Sequence, residues 1–268
     1  MFLNDEPNSC REVPIDSAIT RRLLERSRDL WMTTSLEERI ARTARAGARF
    51  VNDLDEYPHA FVIGCVMNRT IPAEKAWQMP GRIHDRLGTF EFARLAQLDE
   101  DEAVRLFREP SPLHRFPETM AECFLLAVRR IQEVYGGDAS NIWAAPVGSG
   151  ELVRRFEKFK GMGQKIATMA TNILVRDFRI DVTDRRRVDV SVDVHVRRVF
   201  GRLGLVPRES DDVDAVAAAR AIHPEYPGIL DFAAWDIGRK WCKASDPACG
   251  ECYMEDLCPS AGRVSWQD

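Results

Sequence analysis

The C-terminal part of the chain carries four closely spaced cysteines, and this feature limits the possible folds more than any other. The stretch CKASDPACGECYMEDLC spans seventeen residues with the spacing C-x6-C-x2-C-x5-C. Its cysteines are Cys242, Cys249, Cys252 and Cys258. Four thiolates this close in sequence can bind one soft metal centre, and the chain must then wrap around that centre. The spacing therefore predicts a metal-binding loop.

Three kinds of structure can use such a loop. Structural zinc sites usually have two separated C-x2-C pairs, whereas here only Cys249 and Cys252 form one. Disulfides are disfavoured because three further cysteines, at 10, 65 and 123, are scattered through a chain that we expect to be cytosolic. A compact four-cysteine loop also suits a [4Fe–4S] cluster. The spacing alone leaves the choice between zinc and a cluster open.

The composition is that of an ordinary globular protein, with 45% hydrophobic and 30% charged residues in 268. No apolar run is long enough to cross a bilayer, and the N-terminal stretch MFLNDEPNSCREVP lacks a signal-peptide core. We therefore expect a cytoplasmic protein, associated with the nucleoid if the source is a prokaryote.

Helical patterns dominate the chain. Helices are predicted at 59–67, 117–137, 151–159, 164–178, 211–222 and 228–241, and Ser35 with Glu38 forms a capping box before another helix. The exception is RIDVTDRRRVDVSV, residues 179–192, which we predict as a short β-hairpin with its turn near Asp184. The predicted class is all-α.

Charge is unevenly distributed along the chain. The net charge is −4, but residues 151–205 hold 13 Lys plus Arg against 7 Asp plus Glu, a local +6. Such a segment can form an anion-binding face or simply a solvated helix surface, and charge alone favours the solvated surface.

A glycine-containing turn lies within this basic segment, in FEKFKGMGQKIATMATNIL, residues 156–174. The pattern predicts a helix, a tight KGMG turn and a second helix beginning near Gln164. The unpaired N–H groups that open the second helix form an anion site suited to a phosphate. Lys158 and Lys160 are candidate phosphate contacts beside it. Lys165 is a candidate nucleophile, although lysines also occur here in hairpins that only clamp DNA.

The order of three motifs is similar to that of the endonuclease III family of iron–sulfur DNA glycosylases, within the helix-hairpin-helix superfamily. The motifs are KGMGQKIA, VDVHVRRV and the cysteine loop, and the resemblance covers about residues 58–258. It implies two helical lobes with DNA across the cleft. One lobe would be a helical barrel, 58–180, containing the helix-hairpin-helix at about 151–178. The other would combine 15–57 with 181–268.

The resemblance also implies roles for individual residues. Lys165 would be the nucleophile, Asp193 the catalytic carboxylate, and the four loop cysteines the ligands of a [4Fe–4S] cluster. Asp193 would then cap the N–H groups of His195 or Val196 at the start of a helix, and the valine alternation before it would be an extended return strand. The residues implied to contact DNA are Lys158, Lys160, Gly161, Gly163, Gln164 and His195.

The implied activity is removal of a damaged base from double-stranded DNA by a monomeric glycosylase that also cleaves abasic sites. Two alternatives stay open: a monofunctional mismatch or alkylated-base glycosylase, and a non-catalytic iron–sulfur DNA-binding protein. Asn68 and Arg69 are candidates for lining the base pocket and for entering the DNA stack, respectively.

The sequence departs from the family at three positions. Lys160 replaces a proline of the hairpin, and residues 65–77 lack the glutamine that usually fills the gap left by the flipped base. Gly64 stands where the adenine-removing branch has a catalytic glutamate. These departures leave the identity of the excised base open.

Overall fold

The computed structural model describes residues 17–33 and 49–262. All regular secondary structure in these ranges is helical, so the all-α prediction is confirmed. The capping box predicted at Ser35 and Glu38 lies outside the described residues, as does Cys10. Within the described ranges, every helix is too short or too polar to cross a bilayer.

The chain divides into two compact units. Among the described residues, one unit, here called the hairpin unit, comprises residues 49–188, and the other, the cysteine unit, comprises residues 17–33 and 189–262. This division differs from the expected one, which ended the first lobe at residue 180 and assigned residues 15–57 to the second lobe. The short helix Arg49–Asn52 belongs to the hairpin unit.

The helices are numbered here in chain order, beginning with α1, Ala18–Thr33, in the cysteine unit. Those of the hairpin unit are α2 Arg49–Asn52, α3 Pro58–Met67, α4 Ala73–Trp77, α5 Met79–Leu87, α6 Phe92–Leu95, α7 Glu100–Arg108, α8 Pro117–Tyr135, α9 Ser149–Glu157 and α10 Gln164–Arg176. A short 3-10 helix, Ala139–Ile142, lies between α8 and α9.

Helix α3 forms the core of the hairpin unit. All of its residues are buried, as its uniformly apolar sequence predicts, and α2, α4, α5, α8 and α10 pack against it. Gly64 permits a close approach by Trp77 of α4, since a Cβ at residue 64 would lie 2.8 Å from Cε3 of the indole. A glutamate like that of the adenine-removing branch would collide with Trp77.

The cysteine unit is built around α13. Besides α1, its helices are α11 Val194–Leu203, α12 Asp212–Ile222 and α13 Asp231–Lys240, with short 3-10 helices at Pro227–Leu230 and Cys249–Glu251. Both α1 and α11 pack against α13. Leu23, Phe200 and Ile237 are among the side chains buried there. Each such side chain stabilises the fold by about 1.5–3 kcal/mol relative to an exposed position.

The β-hairpin predicted at 179–192 is wrong, because this segment contains no β-strand. The alternation predicts the burial of Val188, Val190 and Val192 correctly, but Asp189 between them is also buried, paired with Arg220. The backbone, however, bonds to a side chain instead of a neighbouring strand. The N–H of Ser191 donates to both carboxylate oxygens of Asp231 at 3.1 Å. A return strand therefore does not form, and the chain enters α11 from an irregular segment.

Candidate functional site

The glycine-containing turn connects α9 and α10 as predicted. Phe159 and Met162 are buried, and the N–H of Met162 donates to the carbonyl of Phe159 at 3.0 Å. Gly161 has φ +92°, a conformation that L side chains rarely adopt, and a Cβ there would lie 3.4 Å from the Sγ of Cys123. The two apolar anchors and the glycine together fix this helix-hairpin-helix turn.

Helix α10 begins without a side-chain cap. Its N-cap residue is Gly163, and both Gly163 and Gln164 are exposed. The first N–H groups of a helix have no intrahelical partner, and the helix dipole places partial positive charge at this end. The start of α10 can therefore bind an anion from outside the protein.

The lysines of the hairpin are all exposed. Lys165, the candidate nucleophile, is the second residue of α10 and is therefore adjacent to the open helix end. Lys158 is the C-cap residue of α9. Lys160 forms an ion pair with Glu122 of α8. A phosphate contact by Lys160 would require its ammonium group to leave or share that carboxylate.

Arg69 lies beside the hairpin in the same unit. It lines one groove together with Lys160, Gly161, Gly163 and Ile166. Asn68, the C-cap residue of α3, is half-buried, and its amide contacts the sulfur of Met169 on α10 at 3.4 Å. The hairpin unit therefore brings Arg69 and the open end of α10 onto one surface.

His114 holds the segment that carries Arg69. It is buried, its Nε2 lies 3.0 Å from the carbonyl oxygen of Arg69, and its Nδ1 accepts from the N–H of Phe116 at 3.1 Å. These partners assign the neutral tautomer with hydrogen on Nε2. Burial lowers the pKa of His114. No local sequence pattern links His114 to Arg69, so this role could not be predicted from the sequence.

Asp193 lies in the cysteine unit and caps α11. One carboxylate oxygen accepts from the N–H groups of His195 and Val196, each at 2.8 Å. The residue is half-buried and has extended backbone angles, φ −109° and ψ −175°. The predicted cap is confirmed. Its two bonds fix the carboxylate at the start of a helix, where negative charge is favoured.

His195 packs closely on α13. A Cβ at Gly238 would lie only 2.7 Å from the Cβ of His195. The guanidinium of Arg198 lies 3.0 Å from Nδ1 of His195, which must be the acceptor because Arg has no acceptor atom. Arg198 also donates to the carbonyl of Cys242 at 2.8 Å. Arg198 was not predicted as a site residue, although its spacing from His195 places both on one helix face.

The four loop cysteines line one cavity of the cysteine unit, with apolar walls that include Val199, Leu203 and Ile237. Arg202 donates to the Sγ of Cys242 at 3.3 Å and to the carbonyl of Ala244 at 3.0 Å. Burial raises the pKa of the Cys252 and Cys258 thiols. Four thiols around a common cavity, with a guanidinium directed at one sulfur, form a donor set suited to a soft, thiolate-bound centre.

In the described part of the chain, no group of three or more His, Cys, Asp or Glu side chains is placed to hold one metal ion.

In sequence, the chain is similar to endonuclease III of several organisms. No family profile matches the chain. It is 25% identical to endonuclease III of Thermotoga maritima over 61% of its length, and 32% identical to endonuclease III of Synechocystis over 42%. The matches span only 66% and 48% of those two relatives.

Solved structures resemble a larger part of the chain. A thermostable thymine-DNA glycosylase matches 90% of it with a TM-score of 0.59 and 14% identity, covering 96% of that protein. A trapped endonuclease III–DNA covalent intermediate matches 90% with a TM-score of 0.55 and 17% identity, again over 96% of the other chain. The chain has the helical fold of these DNA glycosylases, and in sequence it is similar to endonuclease III.

Proposed function

We propose that the protein is a base-excision-repair DNA glycosylase with AP-lyase activity. The observation that carries this proposal is an exposed lysine, Lys165, next to the uncapped start of α10. An open helix end binds phosphate, and an amine beside it can reach the sugar of the same nucleotide. The proposed partner is double-stranded DNA that contains a damaged base or an abasic site.

In the proposed reaction the damaged nucleotide is rotated out of the stack. The amine of Lys165 attacks C1′ of its sugar, the N-glycosidic bond breaks, and its electron pair leaves with the base. The resemblance to endonuclease III supports Asp193 as the carboxylate that stabilises the positive sugar and accepts a proton from the attacking amine. Opening of the sugar ring gives a Schiff base, and loss of a C2′ proton then expels the 3′ phosphate.

Borohydride trapping on abasic-site DNA tests this function. Reduction of the Schiff base should give a covalent protein–DNA adduct with the wild-type chain and none with Lys165→Ala. Lys158→Ala is the matched control, since it removes another exposed lysine of the hairpin and should still give an adduct. A trapped adduct with Lys165→Ala, or none with the wild type, would contradict the proposed nucleophile.

We also propose that Cys242, Cys249, Cys252 and Cys258 hold a [4Fe–4S] cluster. Bound there, the cluster would supply a rigid centre that orders the loop. The cavity lined by the four thiols supports this, as does the similarity in sequence to endonuclease III. The purified protein should be yellow-brown with absorbance near about 400 nm. Cys65→Ser and Cys123→Ser should keep the colour, whereas a colourless protein with one zinc per chain would contradict the cluster.

Arg69 is proposed as the side chain that enters the DNA stack, with Asn68 lining the base pocket. The role of Arg69 is supported by the groove that it lines together with the hairpin. A planar guanidinium can also stack on bases. Arg69→Ala should lose activity on a paired lesion far more than on the same lesion in single-stranded DNA. A simple phosphate contact would instead cause equal losses on both substrates.

A further inference from the structure

A second basic surface lies on the hairpin unit, formed by α8, α9 and the 3-10 helix between them. It is an open groove, here called the basic groove. Its charged lining consists of four basic side chains and one acidic one. These are Arg130, Arg154, Arg155, Lys158 and Glu151. The groove therefore has a strong positive excess in a protein whose net charge is −4.

Glu151 organises two of these arginines. Its Oε2 accepts from Arg154 at 2.9 Å and its Oε1 accepts from Arg155 at 3.2 Å. Arg155 also donates to the carbonyl of Ile142 at 2.8 Å. These hydrogen bonds lower the pKa of Glu151. One carboxylate thus holds two guanidinium groups side by side and leaves one positive charge uncompensated.

The irregular segment after α10 is attached to the first turn of α9. Asp184 accepts from the hydroxyl of Ser149 at 2.7 Å, and that same oxygen of Ser149 accepts from the N–H of Arg187 at 3.0 Å. The N–H of Thr183 donates to the carbonyl of Val147 at 3.0 Å. Ser149 is fully buried. These bonds fix the backbone that carries Arg187.

This attachment places Arg187 next to Arg154, which lines the basic groove. The Cγ of Arg187 lies 3.3 Å from the position that a Cβ on Gly150 would occupy, and a guanidinium nitrogen of Arg154 lies 3.6 Å from it. Both arginines therefore lie against Gly150. Arg154 and Lys158 are four residues apart, about 6 Å along one face of α9. Arg187, Arg154 and Lys158 form a row that ends at the hairpin.

We propose that this row binds the phosphate backbone of duplex DNA beyond the nucleotide held by the hairpin. Guanidinium groups match phosphate oxygens in geometry, and a linear row of cations suits a linear polyanion better than a compact one. The contact carries no sequence information, since only phosphates are bound. The proposal rests on the DNA-repair function above and gives the irregular 179–192 segment a role, namely extending the DNA-binding surface.

The salt dependence of binding to a long undamaged duplex tests the row. The magnitude of the slope of log K against log salt should fall by about 2 in the double variant Arg154→Gln/Arg187→Gln, since each lost phosphate contact removes about 0.9. Arg129→Gln is the matched control, because Arg129 lies on α8 beside Glu100 and does not line the groove. Its slope should equal that of the wild type.

Two further measurements distinguish a failure of this proposal from a failure of the proposed repair function. Arg187→Gln alone, an exposed position whose change should not affect folding, should lower the slope by about 0.9. Borohydride trapping on abasic DNA in the same preparations reports the proposed function separately from the groove. A wild-type slope in both variants would overturn the proposal. So would a loss of binding to polyglutamate with no change for DNA, which would assign the groove to an acidic protein.

Discussion

Helices α10 and α11 both have an N-cap residue that the sequence singles out, but their first turns differ. The N-cap residue of α10 is Gly163, which has no side chain to cap the helix. The N-cap residue of α11 is Asp193, whose carboxylate accepts two backbone N–H groups at 2.8 Å. The first end is open to an external anion, and the second is closed by the protein's own anion.

Helix α9 shows a third arrangement. Its N-cap residue is Gly148, but Asp184 accepts from Ser149 in the first turn and lies against Gly148. A distant carboxylate therefore closes this end. Among these three helix ends, that of α10 is the one with no carboxylate at its first turn, and it is therefore open to an external anion.

A capping carboxylate does not by itself indicate catalysis. Asp211 caps α12 in the same way as Asp193 caps α11, accepting from Val213 and Asp214 at 2.7 and 3.0 Å. The two caps differ in their surroundings, since Asp193 is half-buried and Asp211 is exposed. Substitution can separate a cap that only stabilises a helix from one that also takes part in the reaction.

The largest expected effect is that of Asp193→Asn. Asparagine caps a helix about as well as aspartate, so the fold and DNA binding should be retained. Base removal should fall by about 10²–10³, because the negative charge that stabilises the developing positive sugar is lost. Single-turnover base release and duplex binding, measured side by side, check both parts.

Asp211→Asn is the matched control for this comparison. It makes the same chemical change at a similar cap and should leave base release unchanged. Near-wild-type turnover by Asp193→Asn would place Asp193 with Asp211 as a structural cap. A thermal melt shows whether either variant has lost the helix.

A smaller effect is expected when the open helix end is converted into a closed one. Gly163 has ordinary negative φ and no atom within 4 Å of a Cβ position, so Gly163→Asp fits without strain. The new carboxylate should stabilise α10 by a few tenths of a kcal/mol. It should weaken duplex binding roughly tenfold, since it occupies the phosphate site with negative charge.

Gly163→Asn is the control for that change. It supplies a neutral cap of nearly the same size, so it separates occupation of the site from charge repulsion. Binding should be weakened less than by Gly163→Asp, and the two variants should converge as salt screens the charge. Unaltered binding in Gly163→Asp would mean that the end of α10 does not contact phosphate.

Local features of this molecule could be predicted from the sequence. The fully buried α3, the turn between α9 and α10 and the cap by Asp193 each depend on residues close in sequence. The valine alternation at 188–192 predicted burial but not a partner for the backbone. Whether such a segment becomes a strand depends on what lies beside it, here Asp231, which is 40 residues away.

Contacts that position the candidate site from a distance could not be predicted. His114 bonds to the carbonyl of Arg69 across 45 residues, and Asp184 bonds to Ser149 across 35. Neither pair has a local pattern, because each depends on how separate helices pack. A single sequence records the residues of such pairs but not their proximity.

The smallest expected effect concerns the distant cap of α9. Hydrogen bonds from the hydroxyl of Ser149 and the N–H of Arg186 hold the pKa of Asp184 below its usual value. A lowered folded-state pKa contributes stability that is fully present above the unfolded-state pKa, about 3.9. That contribution is lost as pH falls through the folded-state pKa. Asp184→Asn should therefore lower the free energy of unfolding by about 0.3–1 kcal/mol near neutral pH, the typical value of a charge at a helix end.

The difference between wild type and Asp184→Asn should shrink as pH falls from about 5 toward 2, because the wild-type carboxyl then becomes neutral as well. Urea unfolding across this range measures it. Asp181→Asn is the matched control, since Asp181 is an exposed aspartate of the same segment. A difference that stays constant with pH would mean that the charge of Asp184 does not stabilise the start of α9. The start of α9 would then be stabilised only by the hydrogen bond between Ser149 and residue 184, which does not need a charge.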